Sequence, residues 1–232
     1  MSEKSKERRA LAQLQRVKTS YQSFIKLSYE HAAQSCATCP TRGVCCTDAH
    51  FVNVHITRLE AVAIRETIER TPRLTRAAKR AVYKRAAAAV ERYNLRASGD
   101  TFGQTFACPL YDPSLGCLVH ARAKPAPCIQ HACYENWEDL PPASLQARTE
   151  HRVEQLNGEV YGRAWDWLPL PLWLSLIEGE AEGTELDHLA REWSTRRDAR
   201  ESNSAHQARR AAHGAQRRRA SLPVINQGPS RF

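Results

Sequence analysis

Cys36-Ala-Thr-Cys39-Pro-Thr-Arg-Gly-Val-Cys45-Cys46 is the stretch around which the predicted fold is organised. It holds four of the eight cysteines of this 232-residue chain. Its first two cysteines have the two-residue spacing that lets two thiolates face one metal ion, as in zinc knuckles and cluster-binding loops. Because thiolate is a soft ligand, such a concentration of cysteines favours zinc or an iron–sulfur cluster over magnesium or calcium.

A second group of cysteines follows much later in the chain: Cys108, Cys117, Cys128 and Cys133. Its gaps are too irregular for a zinc finger or a zinc ribbon. Proline follows the first member and precedes the third, and cysteine–proline pairs also stiffen the loops around ferredoxin clusters. These features slightly favour an iron–sulfur cluster over Zn²⁺ as the cofactor, and both stay open.

The adjacent pair Cys45 and Cys46 limits the geometry of any site. Neighbouring residues usually point their side chains apart, so both thiols do not easily bind one ion. Either two metal sites exist, and each uses one cysteine of the pair, or one metal site uses one cysteine while the other cysteine lies beside it. The predicted metal ligands are all eight cysteines: Cys36, Cys39, Cys45, Cys46, Cys108, Cys117, Cys128 and Cys133.

Four histidines lie near the cysteines in sequence: His50, His55, His120 and His131. Histidine is a common metal ligand, but an individual histidine is more often a surface or hydrogen-bonding residue. His120 and His131 are the better candidates for additional nitrogen ligands, because each lies between two predicted cysteine ligands.

Composition bounds the class of protein. Hydrophobic residues make up 42% of the chain, enough for a core that does not depend on cysteines to rescue a very small scaffold. No run approaches the roughly 18 apolar residues of a membrane span. The charged N-terminus is followed by no apolar signal core. These features predict a cytoplasmic protein with reduced thiols rather than disulfides, and no membrane partner.

Hydrophobic periodicity predicts a mostly α protein: a small helical domain built around an irregular cysteine-rich metal or cluster site, with little strand. Residues 1–32 form an amphipathic N-terminal helix, residues 33–137 the cysteine-cluster domain, residues 138–195 a helical, tryptophan-rich extension, and residues 196–232 a basic, disordered tail. A helical hairpin over residues 56–97 separates the two cysteine groups, and its antiparallel helices return the chain so that the groups meet.

Individual elements are predicted from local signals. The N-terminal helix carries an apolar stripe of Leu11, Leu14, Val17, Tyr21, Phe24 and Leu27. A strand is expected over residues 51–56, and Thr57-Arg-Leu-Glu60 is a capping box that starts a helix running to about Arg70. Pro72 is expected to start the next helix. The segment over residues 165–177 is interpreted as packing across the core, with an exposed partner-binding patch as the alternative.

The order of the cysteines resembles that of the YkgJ-like cysteine-cluster family, whose members are described as zinc- or iron-chelating proteins. The likeness covers about residues 33–137 and includes Gly116-Cys117-Leu-Val-His120 and Lys124-Pro-Ala-Pro-Cys128. Lys124 and Ile129 stand where the family usually has arginine, so no anion or substrate contact of those arginines carries over. The resemblance implies a thiolate-bound metal. Most members of the family have no assigned activity.

Three functions are compatible with these features. The first is a cytoplasmic metal-binding protein that handles iron or redox state. The second is a cluster-dependent, protein-modifying enzyme resembling the flagellin lysine N-methylase branch of the family, although no glycine-rich S-adenosylmethionine loop is visible. The third is a nucleic-acid or partner-binding module, in which the metal is structural and the basic tail of this +9 chain makes the contacts.

Overall fold

Helices dominate the computed structural model, which describes residues 2–35, 38–39, 41–47, 52–97, 101–161 and 167–178. Of these residues 60% are helical and 7% lie in strands, which confirms the prediction of a mostly α protein with little strand. The chain divides into the units Met1–Arg196 and Arg197–Phe232, and all described residues belong to the first. The predicted basic tail over residues 196–232 lies outside them.

The described α-helices are α1 (Glu3–Ser28), α2 (Val44–Thr47), α3 (Arg58–Arg70), α4 (Arg76–Arg92), α5 (Ala126–Gln130), α6 (Ala143–Tyr161) and α7 (Leu170–Ile177). Short 3-10 helices cover Glu30–Ala32 and Trp137–Asp139. The strands form three antiparallel pairs of two residues each: β1 (Ala33–Gln34) with β5 (Cys133–Tyr134), β2 (His55–Ile56) with β6 (Leu168–Pro169), and β3 (Tyr111–Asp112) with β4 (Gly116–Cys117). Within the described ranges, no helix is long and apolar enough to span a membrane.

Helix α1 confirms the predicted N-terminal helix, but its buried face agrees with the predicted apolar stripe only in part, at Leu14 and Tyr21. The buried residues are Ala10, Leu14, Lys18, Tyr21 and Ile25. Phe24 and Leu27, which the apolar pattern assigned to the interior, are 46% and 81% exposed. The prediction was wrong because a lysine occupies the inward face, whereas a search for apolar periodicity assigns lysine to solvent.

Lys18 is buried because it forms an ion pair with Glu60 of α3. Its Nζ lies 2.7 Å from Glu60 Oε1, and the two side chains are 3% and 1% exposed. Glu60 also completes the predicted capping box: Thr57 Oγ1 accepts a hydrogen bond from the Glu60 N–H at 3.3 Å, and Glu60 Oε2 accepts one from the Thr57 N–H at 3.0 Å. One carboxylate therefore both caps α3 and anchors α1 to it.

The second helix of the hairpin starts later than predicted. Helix α3 ends at Arg70, as expected, but α4 begins at Arg76 and not at Pro72. The residue before α4 is Thr75, whose hydroxyl accepts a hydrogen bond from the Ala78 N–H at 3.1 Å. Pro72 lies in the connecting turn. A threonine before the helix accepts a hydrogen bond from an otherwise unpaired amide of the first turn, and proline cannot do so. The helix therefore begins after Thr75.

Helix α7 holds the core together, because it packs against both α3 and α4. Trp173 of α7 is fully buried in the main hydrophobic cluster, together with Ile64 of α3 and Val82 of α4. Strand β6, just before α7, pairs with β2, which is all that remains of the strand predicted over residues 51–56. Over residues 167–178 the tryptophan-rich segment therefore packs into the core as interpreted, and the exposed-patch alternative is wrong there.

We expect Lys18→Met to lower the free energy of unfolding by about 3–5 kcal/mol, because it leaves the Glu60 carboxylate buried without its cation. Lys79→Met is the matched control. It removes a pair with Glu69, which lies 3.8 Å away and is 55% exposed, and such pairs contribute about 1 kcal/mol or less. Urea denaturation followed by circular dichroism measures both changes. Equal losses in the two variants would show that the Lys18–Glu60 pair does not anchor α1.

Candidate functional site

Cys45 and Cys46 of the first cysteine group are positioned by a glycine turn and a one-turn helix. Gly43 has a φ of +87°, a left-handed conformation that other residues rarely adopt. Its carbonyl accepts a hydrogen bond from the Cys46 N–H at 2.9 Å, and α2 holds Cys45 and Cys46 half-buried. Tyr111 packs so closely over Gly43 that a β-carbon at this position would collide with the ring. The turn therefore requires glycine for two separate reasons.

The two cysteine groups meet through the main chain. The Cys108 N–H donates a hydrogen bond to the Cys46 carbonyl at 2.7 Å. Close by in sequence, the Phe106 N–H donates to the Val52 carbonyl at 2.8 Å, which joins the same two segments again. Helices α3 and α4 lie between these segments in the chain, so the chain returns to its starting point after them, and both helices pack against α7.

A tight hairpin and a short helix position two further thiols. Between β3 and β4, Asp112 Oδ1 accepts a hydrogen bond from the Ser114 N–H at 2.9 Å. Gly116, with a φ of +75°, then leads into Cys117. Cys128 lies in the middle of α5, a helix that packs against α1. The second group is thus held by ordinary local structure and by its contact with the N-terminal helix.

Five thiols influence one another's pKa: Cys45, Cys46, Cys108, Cys117 and Cys128. Burial, aided by Cys117 and Cys45, raises the pKa of Cys128 to about 12. Burial and the neighbouring Cys128 raise the pKa of Cys108, and burial also raises the pKa of Cys117. In the metal-free protein these last three thiols therefore stay protonated at neutral pH.

The pKa values of Cys45 and Cys46 shift in opposite directions because the two thiols share a hydrogen bond. Hydrogen bonds from Cys46 and His131 lower the pKa of Cys45 to about 4. The same hydrogen bond to Cys45, together with burial, raises the pKa of Cys46. At neutral pH the pair therefore carries one thiolate, on Cys45. His131, one of the two favoured histidines, lies within hydrogen-bonding reach of this thiolate.

Two lysines place positive charge beside the thiols. Lys124 opposes the effect of burial on the pKa of both Cys117 and Cys128. Lys18 of α1 acts in the same direction on Cys128. Sequence reasoning missed Lys18, because its partners come from helices distant in the chain. The one signal was a lysine at helical spacing from Leu14, on the stripe otherwise occupied by apolar residues.

Three predicted cysteine ligands are not placed in this group. The sulfur of Cys39 lies 3.7 Å from Thr41 Oγ1. Cys133 lies on β5, where it is paired in register with Gln34 of β1. Cys36 lies outside the described residues. The ligand roles predicted for these three cysteines therefore remain predictions.

The remaining histidines fall into different environments. Burial, aided by the positive charge of Lys124, lowers the pKa of His120, and Glu30 acts in the opposite direction. His55 is a structural residue: its Nδ1 lies 2.9 Å from the Asn53 carbonyl oxygen and its Nε2 lies 3.0 Å from that of Thr101. Both of its ring nitrogens are therefore occupied by the backbone. The fourth candidate, His50, lies outside the described residues.

Metal coordination itself is not seen. In the part of the chain that the structure describes, no three His, Cys, Asp or Glu side chains are arranged to hold a metal ion. None of the seven described cysteines forms a disulfide. The irregular eight-cysteine metal site stays a prediction. What the structure shows is that the main chain joins the two cysteine groups at Cys46 and Cys108.

No family model, curated protein or solved structure matches the chain. The resemblance to the YkgJ-like family therefore stays a prediction, and the thiol group is the basis on which a function can be proposed.

We expect Gly43→Ala to destabilise the protein more than Gly116→Ala. Both glycines have positive φ, so each alanine carries backbone strain of about 1–3 kcal/mol. Only at position 43 does the added β-carbon also meet the Tyr111 ring, because position 116 is open. Urea denaturation of the metal-free variants measures the difference. Similar losses of stability in both variants would show that the Tyr111 ring moves aside without lowering the free energy of unfolding.

We expect the Cys45 thiolate to persist in metal-free protein as the pH falls, and to be lost only near pH 4. A depressed pKa adds stability that is complete above the ordinary thiol value, roughly 8.5, and that declines as the pH falls towards the folded-state value. Ultraviolet thiolate absorbance against pH measures the transition. Cys45→Ser should remove it and Cys46→Ser should move it to higher pH, whereas a transition unchanged in Cys45→Ser would assign the thiolate elsewhere.

Proposed function

We propose that this chain is a metal-binding protein whose converging thiols hold an iron–sulfur cluster, with Zn²⁺ as the alternative occupant. The observation that carries the proposal is the main-chain hydrogen bond from Cys108 to Cys46, which joins the two distant cysteine groups. The mutual influence of five thiols on one another's pKa supports it. Four thiolates are the usual ligand set of a cluster and of a structural zinc ion. The resemblance of the cysteine order to zinc- or iron-chelating proteins supports the same function.

The environment of the thiols suits a soft cation. Burial disfavours thiolate anions, so deprotonated sulfur needs a compensating positive charge at this position. A bound metal supplies that charge and takes the place of the thiol protons, which is why thiolate–metal affinity rises with pH. Hard, oxygen-preferring ions such as magnesium are not favoured by this donor set.

Roles can be assigned to individual residues within the proposal. Cys45, Cys108, Cys117 and Cys128 would be the ligands. Cys46 and His131 would donate hydrogen bonds to the sulfur of Cys45, because both lie against it. This assignment also answers the difficulty that adjacent cysteines pose, since one member binds and the other supports it.

The contact between the thiols and the core makes the proposed metal structural as well. Cys108 and Cys117 pack against the main hydrophobic cluster formed around α3, α4 and α7. Binding energy at these sulfurs would therefore contribute to folding. A function in iron or redox handling, in a cytoplasmic compartment that keeps thiols reduced, follows from this proposal.

Elemental analysis and absorption spectra of anaerobically purified protein test the proposal. We expect stoichiometric iron with sulfide and a brown colour, or stoichiometric zinc in a colourless protein. Chelation should lower the melting temperature, and Cys128→Ser should lose most of the metal. Wild-type protein that takes up neither zinc nor iron with sulfide would refute the function.

Two histidine variants form a matched pair for the same measurement. His131→Ala removes a hydrogen bond to the Cys45 sulfur and should weaken metal binding by roughly 10–100-fold. His120→Ala serves as the control and should leave the affinity within about threefold. Cys39→Ser decides whether the first two cysteines of the chain take part: a drop in metal content would add Cys39 to the ligand set, and full retention would exclude it.

A further inference from the structure

An open groove of about 490 Å³ lies between α1 and α6. The two helices pack against each other, and at one point Arg152 Nη2 donates a hydrogen bond to Gln13 Oε1 at 3.4 Å. The walls of the groove are mainly apolar and are formed by Val17, Tyr21, Phe24 and Leu145. Binding sites commonly have this character, with volumes of roughly 300–1,000 Å³ and mostly apolar linings.

The buried polar groups of the groove already have partners inside the protein. The Tyr21 hydroxyl donates a hydrogen bond to Gln130 Oε1. Thr149 Oγ1 donates one to the Leu145 carbonyl at 3.0 Å. The floor of the groove therefore offers apolar contact to an occupant rather than free hydrogen-bonding groups.

The apolar surface of α1 continues past the groove. Phe24 is 46% exposed, and its ring meets that of Tyr29 edge-on, with the centroids 6.0 Å apart. Leu27, one turn further, is 81% exposed. Val17, Ser20, Phe24 and Leu27 follow one another at intervals of three, four and three residues, which is the spacing of a contact seam between helices. This seam extends over about 15 Å of helix, or almost three turns.

Two arginines from different helices line the same groove. Arg16 comes from α1 and Arg148 from α6, and both side chains are exposed. Among the described residues, neither arginine has a carboxylate partner. Two like charges beside one groove favour an anionic occupant, and guanidinium groups bind carboxylates through paired hydrogen bonds.

We propose that this groove is the docking site for an amphipathic helix of a partner protein. The helix places apolar side chains against Val17, Phe24 and Leu145, and carboxylates against Arg16 and Arg148. Such helices bind apolar grooves through side chains spaced three, four and seven residues apart. A helix suits this surface better than a small molecule, because the seam continues beyond the groove to Leu27. The inference does not depend on a metal bound by the thiols.

A synthetic helical peptide of about 18 residues is the probe, long enough to cover the seam. It carries leucines at three- and four-residue spacing and glutamates at one end, and a matched peptide has glutamine in place of every glutamate. Fluorescence anisotropy of the labelled peptides measures binding to the full chain. The test variants are Arg16→Gln with Arg148→Gln, and Phe24→Ser. The control is Arg80→Gln with Lys84→Gln, which removes the same charge from the exposed face of α4. Circular dichroism checks that every variant is folded.

We expect saturable binding of the glutamate peptide that the double arginine variant weakens roughly tenfold, since each exposed charge pair contributes modestly. The same variant should bind the glutamine peptide within about twofold of wild type, because the lost charges then have no partner. Phe24→Ser should weaken both peptides by at least about fivefold, as for an apolar anchor. The α4 control should change neither affinity.

Two results would overturn the proposal. One is the absence of saturable binding of the glutamate peptide, and the other is an equal loss of affinity in the groove variants and the α4 control. Sedimentation equilibrium of the chain alone tests a different occupant. A dimer that Phe24→Ser dissociates would assign the groove to a second copy of the chain, and would also overturn docking of a separate partner.

Discussion

The buried ion pair between Lys18 and Glu60 is the interaction on which the rest of the structure depends. It joins the first long helix to the capping box of α3, so the start of one helix and the docking of another share one carboxylate. Buried ion pairs seldom add much stability over apolar residues, because desolvation offsets their attraction. Their effect is to exclude alternative packing arrangements of the helices. Only the rotation of α1 that brings Lys18 to Glu60 avoids a lone charge in the interior, and this rotation also turns Tyr21 and Ile25 towards α5.

The thiol group lies where three parts of this framework meet. Cys45 and Cys46 come from the glycine turn, Cys108 and Cys117 from the segment packed on the main core, and Cys128 from the helix docked on α1. Its electrostatics follow from burial: most of the thiols hold their protons, and hydrogen bonding leaves one thiolate on Cys45. A largely protonated site of this kind becomes a strong donor set once a soft cation displaces the protons.

Local signals predicted several elements well. The capping box at Thr57 and Glu60 gave the start of α3 correctly, because the atoms that make it lie within one turn of helix. The helical class was also correct, and the chain does return to the first cysteine group after α3 and α4. The start of α4 was wrong, since Thr75 caps the helix and Pro72 does not. The strand before α3 was predicted too long: of its described residues, only His55 and Ile56 pair with a strand, and that strand, β6, lies more than a hundred residues away in the chain.

The sequence by itself determined that this chain is helical, that its cysteines form two groups and that a hairpin lies between them. These properties depend on residue type and on spacing within a few turns. Only the tertiary structure decided that the two cysteine groups join at Cys46 and Cys108, that His55 is bound by the backbone and that Lys18 faces inwards. Each of these depends on a partner far away in the chain. Hydrophobic periodicity in the sequence indicates which residues avoid water. It does not indicate which distant residue a buried charge or thiol contacts.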